Sequence, residues 1–228
     1  DVMSYATIGN PRRRFSYYND FINDLSTTAN GEISESNAGT GAGTAVLNQV
    51  NANQVGLVQS STGTTATGRA TVQTASAMMV AGAGAMCFEL NGRVTMLSDA
   101  VNEFTLRIGF FDNAGSDAAD GIYFEYDRTQ STNWRLCAAS NSTRTKTNSS
   151  TAAGTVFDTL RIDVNAAGTS DEFLLNGVSL GTDTTNHQNT TVRNFGFGWQ
   201  LVKTAGTTAR TFDVDYLVAE LDFTTARA

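Results

Sequence analysis

Two carboxylates with a spacing suited to acid–base chemistry lie in the segment Phe-Glu125-Tyr-Asp127-Arg-Thr-Gln130. Because the segment is predicted as a β-strand, Glu125 and Asp127 are two residues apart and share one face. A retaining glycosidase needs a nucleophile and a separate proton donor about 5 Å apart. An acid at position 130, three residues after Asp127, could be that proton donor. The residue there is Gln130, and an amide cannot supply the proton. We therefore expect no enzymatic activity and interpret both acids as solvent-facing strand residues.

Three further acids, Asp112, Asp117 and Asp120, crowd the segment FFDNAGSDAADG. Carboxylate oxygens suit Ca²⁺, but the spacing differs from that of an EF-hand loop. Loop acids beside Asn and Gly also commonly close turns. A calcium site and a set of turn caps both remain open, and no other cofactor is expected.

Aromatic side chains that could stack on a sugar ring lie beside polar partners in two predicted strands. Trp134 is followed by Arg135 within Asn-Trp-Arg, and Tyr126 lies in the preceding strand. These three residues form the candidate glycan site, although burial in the core is the commoner fate of a tryptophan.

The chain contains one histidine and two cysteines. A single imidazole excludes sites that need several, and His187 lies in a polar loop with no neighbour in sequence that could orient it as a base. Cys87 and Cys137 fall on separate predicted strands. A disulfide between them and two buried thiols are both compatible with that placement.

The overall charge restricts the partners. Lys and Arg number 15 against 22 Asp and Glu, which gives a formal net charge of −7 and argues against nucleic acid. Arg12, Arg13 and Arg14 form a cationic run, which we predict docks against an acidic neighbour. No apolar run approaches the roughly 18 to 20 residues of a membrane-spanning helix, so no membrane insertion is expected.

From about residue 55 onward, apolar and polar residues alternate between breaks at intervals of about eight to twelve residues. This pattern predicts ten or more strands in an antiparallel two-sheet β-sandwich. The Asn-Gly pairs 91–92 and 176–177 each predict a tight hairpin turn. Residues 36–46 are rich in small residues and are expected to form a loop.

Several segments resemble a group of bacteriophage virion proteins and tail-fibre-like domains. The segments are GLVQSSTGTTATGRA (56–70), FTLRIGFFD (104–112), GIYFEYD (121–127), Asn133-Trp134, LRIDV (160–164) and VDY (214–216). They occur in the same order as in those proteins, and the similarity covers about residues 50–223. Asn53-Gln54-Val55 replaces the Pro-Gly that the group has before the first segment.

The resemblance implies an all-β concanavalin-A-like jelly roll on the surface of a phage virion. We expect an N-terminal arm with a Gly-rich loop (1–45) and one sandwich domain (46–228). The expected role is non-enzymatic and structural, as a capsid decoration, head fibre or tail-fibre module that binds host-surface glycans. Its partners would be other virion proteins and further copies of itself, as in a trimer. The alternatives are a free carbohydrate-binding module and a polysaccharide-degrading enzyme.

Overall fold

The computed structural model describes residues 12–21, 33–47, 56–74, 78–187 and 194–227. These residues form sixteen strands and no helix, so none of them builds a helix that could cross a membrane. The strands, in chain order, are β1 (Arg14–Asn19), β2 (Ile33–Ala38), β3 (Ala42–Leu47), β4 (Leu57–Thr62), β5 (Arg69–Thr74), β6 (Met79–Val80), β7 (Gly84–Val94), β8 (Phe104–Phe111), β9 (Gly121–Asp127), β10 (Ser131–Ser140), β11 (Thr143–Ala152), β12 (Asp158–Val164), β13 (Asp171–Leu175), β14 (Val178–Asp183), β15 (Asn194–Lys203) and β16 (Thr211–Phe223).

The strands pair into two antiparallel sheets of eight, which confirms the predicted sandwich. Sheet A has the order β14-β13-β12-β7-β16-β4-β3, with β1 also paired to β16. Sheet B has the order β11-β10-β9-β8-β15-β5-β2, with β6 also paired to β15. The long central strands β7, β16, β8 and β15 therefore lie far apart in sequence from some of their partners, as in a jelly roll.

The core fills the space between the sheets with one side-chain face of each strand. In β7, for example, Phe88 and Leu90 are fully buried, whereas Glu89 between them points outward. Sheet B contributes a run of aromatics to the same cluster, among them Phe110 and Trp199. Burial on one face and solvent on the other is the source of the alternation seen in the sequence.

The two Asn-Gly pairs behave differently. Asn176 and Gly177 have φ of 51° and 78° and close the β13–β14 hairpin, so this prediction is confirmed. Asn91 and Gly92 lie inside β7, and the predicted hairpin there is wrong. Partners on both sides, β12 and β16, hold β7 straight through this point. A Cβ at Gly92 would lie 2.8 Å from the carbonyl oxygen of Asp213, so close packing accounts for the glycine there.

The loop predicted for residues 36–46 is also wrong. Most of that segment belongs to β2 and β3, which are joined by a short turn and enter different sheets. Gly39 and Gly41 in the turn both have positive φ. The segment therefore connects the two layers of the sandwich at one side. The docking role predicted for residues 1–45 stays a prediction, and residues 1–11 and 22–32 lie outside the described residues.

Candidate functional site

The outer face of sheet B carries a row of charged side chains that oppose one another across three strands. Arg107 on β8, Glu125 on β9 and Arg135 on β10 are direct cross-strand partners. Lys146 on β11 lies opposite Cys137 of β10, two residues along that strand from Arg135. We call Arg107, Asp117, Glu125, Arg135 and Lys146 the ion cluster.

Glu125 lies at the centre of the ion cluster, with its side chain only 1% exposed. It accepts hydrogen bonds from Arg135 Nη1 at 2.8 Å, Arg107 Nε at 2.9 Å and Lys146 Nζ at 2.8 Å. The expectation that Glu125 faces solvent is therefore wrong. Three charge-assisted hydrogen bonds fix the position of the carboxylate.

Asp117 comes from the β8–β9 loop and joins the ion cluster from above the sheet. It accepts from Lys146 Nζ at 2.8 Å and from the Tyr123 hydroxyl at 2.6 Å. Burial would raise the pKa of Asp117, but the Arg107 charge and these hydrogen bonds outweigh it and lower the pKa. Asp117 is thus bound by cations of the protein itself.

The three loop acids do not meet at one point. Asp112 Oδ1 accepts from the backbone N–H of Ala119 at 3.0 Å, and Asp120 Oδ1 accepts from that of Asn141 at 2.7 Å. No group of three His, Cys, Asp or Glu among the described residues is arranged to hold a metal ion. Asp112 and Asp120 serve as turn caps, and the cations around Asp117 make it unsuited to calcium.

The loop 112–120 lies over the ion cluster and the neighbouring strands. Its backbone carbonyls accept from three side chains of sheet B: Gln200 to Asn113, Thr71 to Ala114 at 2.7 Å, and Arg69 to Gly115 at 3.4 Å. Ala118 of this loop also packs in a small apolar cluster with Phe111, Tyr123 and Cys137. The middle of this sheet face is therefore covered by the chain itself.

The predicted glycan aromatics lie in the core. Trp134 is 3% exposed and packs edge-on against Phe124 and Tyr126, and Tyr126 is 1% exposed. Neither ring can stack on a sugar, so this part of the prediction is wrong. Arg135 points to the opposite side of the sheet, where its charge is bound to Glu125.

The cysteines are both free thiols, so the alternative of a disulfide is wrong. Cys87 lies on β7 in sheet A and Cys137 on β10 in sheet B, with the core between the sheets. Arg14 of the predicted docking run pairs with Glu220 and Asp222 on β16. Arg12 Nε donates to the Arg227 carbonyl, and the Arg13 carbonyl accepts from Phe223, so the run lies along its own chain.

Three loops meet at one end of the sandwich, and we call residues 112–120, 140–145 and 183–187 the three-loop surface. The first two are joined by hydrogen bonds from Ser142 N to Ala119 O at 2.8 Å and from Arg144 Nε to Ala118 O at 2.8 Å. The second and third are joined by Thr145, which contacts Thr185 Oγ1 at 2.7 Å and Asn186 Nδ2 at 2.6 Å. The sequence suggests loops 112–121, 140–153 and 182–191 as the glycan contacts of a fibre module, but residues 143–152 of the second segment form β11 instead of a loop.

His187 lies on this surface and is oriented, contrary to the sequence-based expectation. Its Nε2 lies 3.1 Å from the Asp183 carbonyl oxygen, and its Nδ1 lies 3.3 Å from Asp171 Oδ2. The Asp171 carboxylate is fully buried. The local sequence around His187 does not predict this contact, because Asp171 lies on β13 and the whole of β14 separates the two residues in the chain.

The fold places the chain among lectin-like β-sandwiches. Peanut lectin in complex with a 9-residue peptide superposes with a TM-score of 0.59 at 9% identity over 91% of this chain and 97% of the lectin. A carbohydrate esterase from the Shiga toxin-encoding bacteriophage phi24B superposes with a TM-score of 0.53 at 11% identity, over 83% and 90% of the two chains. At these identities the similarity concerns the fold.

The chain belongs to the family of SO2946-like C-terminal domains, whose sequence profile matches residues 53–215. The protein of unknown function SO2946 from Shewanella oneidensis MR-1 superposes with a TM-score of 0.68 at 16% identity, over 95% of this chain and 90% of that one. No curated protein matches the chain in sequence.

Proposed function

We propose that this chain is a non-enzymatic domain on the outside of a bacteriophage virion that binds host-surface glycans through the three-loop surface. The observation that carries the proposal is the meeting of these three loops. They form one continuous polar surface at the end of a rigid sandwich. Neutral saccharides are recognised by hydroxyl and amide groups of this kind, held on a rigid scaffold.

The exposed groups of the three-loop surface fit such a ligand. Asn113, Ser116, Thr143 and Thr184 are all exposed there. The charged neighbours in the ion cluster are bound to one another. The occurrence of the same fold in peanut lectin supports a glycan ligand.

The state of the two strand acids supports a role without catalysis. Glycoside hydrolysis needs two carboxyl groups that can reach the glycosidic bond. Glu125 is enclosed by three cations, and Asp127 Oδ1 accepts from both the N–H and the hydroxyl of Thr129. Neither acid is placed to exchange protons with a bound sugar.

The sequence resemblance to phage virion proteins supports the location, and the phage esterase is a phage protein with this fold. A capsid decoration, a head fibre and a tail-fibre module all fit an acidic domain with a polar surface. We expect the domain to form homo-oligomers, such as a trimer, and to contact other virion proteins.

The location is tested with an antibody against the chain. The antibody should label intact particles, and labelling of the head or the tail would identify the site of attachment. Unlabelled particles would contradict the location.

Glycan binding is tested with the purified chain on an array of bacterial surface polysaccharides. Ser116→Arg and Thr184→Arg place a bulky side chain on the three-loop surface and should abolish the signal. Thr207→Arg, an exposed position in the loop 204–210 that follows the far end of β15, is the matched control and should retain it. Equal binding by all three variants would exclude the three-loop surface, and release of reducing sugar would contradict the non-enzymatic role.

A further inference from the structure

The three-loop surface contains a buried acid–imidazole contact that the proposed function does not require. Asp171 and Asp183 oppose each other at the open end of the β13–β14 hairpin. His187 folds back over them, with its side chain 5% exposed and its Nδ1 3.3 Å from Asp171 Oδ2. Among the described residues, His187 is the one basic side chain in an ion-pair contact with Asp171.

The hydrogen bonds of this contact fix where its proton must lie. A carbonyl oxygen can only accept, so His187 Nε2 carries the ring proton and donates it to Asp183 O at 3.1 Å. Nδ1 of a neutral ring is then an acceptor. An ionised Asp171 would leave both of its oxygens and Nδ1 without a donor, as the unpartnered atoms show. One proton between Asp171 Oδ2 and Nδ1 gives these two atoms a partner and removes the buried negative charge, so that Oδ1 alone stays without a donor.

We propose that Asp171 and His187 share one proton, and that this proton latches loop 184–187 onto the β13–β14 hairpin and holds the three-loop surface in its binding form. Asp183 completes the latch, because its Oδ1 accepts from Thr185 N and Oγ1, both at 2.7 Å. Thr185 in turn contacts Thr145 on β11. The latch thus connects sheet A to the edge of sheet B.

The electrostatics of the three groups agree with a shared proton. Burial, followed by the charge of Asp183, raises the pKa of Asp171 to about 8. Burial lowers the pKa of His187, against the raising effect of the Asp183 carbonyl and charge. Near pH 7 the pair therefore holds one proton instead of none or two. When pH rises beyond about 8, the proton leaves and a buried carboxylate remains without a partner, which favours release of the loop.

The latch is tested on the whole chain by NMR, because one histidine gives one imidazole signal. The ¹⁵N shifts of the ring should show the Nε2–H form, stay constant from pH 6 to 7.5 and change with a midpoint near 8. The backbone signals of Thr185 and Asn186 should change together with them. Asp171→Asn preserves a donor to Nδ1 without a titrating group, so the transition near pH 8 should disappear. Equal thermal stability of both proteins at pH 6 verifies that the variant is folded.

Three results would overturn the latch. They are a ring that protonates with the ordinary pKa near 6.5, a transition near pH 8 that persists in Asp171→Asn, and ring shifts that change with CaCl₂ or ZnCl₂ and are reversed by EDTA. The last would place a cation where we infer a proton.

The consequence for binding rests on the proposed function and is measured separately. If only the latched form binds, raising the pH from 7 to 9 should weaken glycan binding by about tenfold in the native chain and not in Asp171→Asn. A transition in the NMR spectrum without any glycan binding would refute the proposed function and leave the latch standing. Glycan binding that is independent of pH would refute the coupling between them.

Discussion

Glu125 Oε1 accepts a hydrogen bond from Arg135 Nη1 at 2.8 Å, directly across the β9–β10 pair, in a place with almost no access to water. Glu125 has a sequence spacing suited to catalysis, and Arg135 is a residue predicted to bind a sugar. In the folded chain the two side chains bind each other, and their charges cancel. The charged side chains on the outer face of sheet B are therefore bound within the ion cluster. The exposed polar groups lie on the loops around it.

The ion cluster predicts a large cost for Glu125→Gln. The change leaves three buried or half-buried cations with one acceptor fewer, and breaking a buried ion pair in this way costs about 3–5 kcal/mol. The free energy of unfolding, from urea denaturation at pH 7, should fall by that amount. Asp127→Asn is the matched control, since an amide oxygen can still accept from Thr129, and it should cost less than about 1 kcal/mol. Similar losses in both variants would contradict the role of the cluster.

The alternation of the sequence could predict most central strands because those strands are buried on one face. It could not predict β11, whose residues Thr143–Ala152 include no large apolar side chain on either face. The ion cluster was missed for a related reason. The cations around Glu125 come from three other strands, and their convergence depends on strand order, which local patterns do not contain.

The position of His187 shows how a small irregularity hides a site. The Asn176-Gly177 turn sets the register of β13 and β14, and an unbroken ladder from it would pair Asp171 with Thr182. A bulge after the Leu174–Ser179 pair shifts the register by one residue and pairs Asp171 with Asp183 instead. That shift brings the two acids together beneath His187, and the sequence carries no clear signal for it.

Trp134→Ala should destabilise the fold rather than abolish a binding site. The indole packs against Phe124 and Tyr126 in the core, and truncation of such a ring costs about 3–5 kcal/mol. Val101→Ala, at a side chain that is 69% exposed, is the control and should change stability by less than about 0.5 kcal/mol. Thermal unfolding followed by fluorescence measures both. A stable Trp134→Ala protein that has lost glycan binding would restore the stacking role.

Gly198 marks a close approach of two strands. It has φ of 153°, and a Cβ there would overlap the carbonyl oxygen of Val72 on β5. Gly198→Ala should therefore lower the free energy of unfolding by about 2–4 kcal/mol. Gly154→Ala is the control, because the nearest atom to its Cβ would be Val156 Cγ2 at 3.9 Å, and it should be nearly neutral. Equal stability of the two variants would show that β5 can move away.

The thiols should be unreactive in the folded protein. Burial raises the pKa of Cys87 to about 12 against the lowering effect of Arg161, and burial also raises that of Cys137. Because the thiolate is the reactive form, a disulfide exchange reagent at pH 8 should modify neither at an appreciable rate. Denaturation without reductant should expose two thiols per chain. Fewer than two would indicate a disulfide after all.

The latch also predicts how stability depends on pH. The native pair holds one proton up to about pH 8, because the pKa of Asp171 is raised and that of His187 is lowered. In the unfolded chain the carboxyl group titrates near 3.8 and the imidazole near 6.5, so at pH 5 it also holds one proton and the pair has no net effect. Between pH 6.5 and 8 the unfolded chain loses that proton while the native chain keeps it.

The native state therefore binds more protons in this window, and stability must fall as pH rises through it. The slope is about 1.4 kcal/mol per pH unit, which amounts to about 2 kcal/mol across the window. Urea denaturation at closely spaced pH values measures the slope, and Asp171→Asn should give a flat profile over the same range. A native profile that is equally flat would mean that Asp171 is already ionised at neutral pH, and a slope of opposite sign would mean that the folded pair binds fewer protons than the unfolded chain.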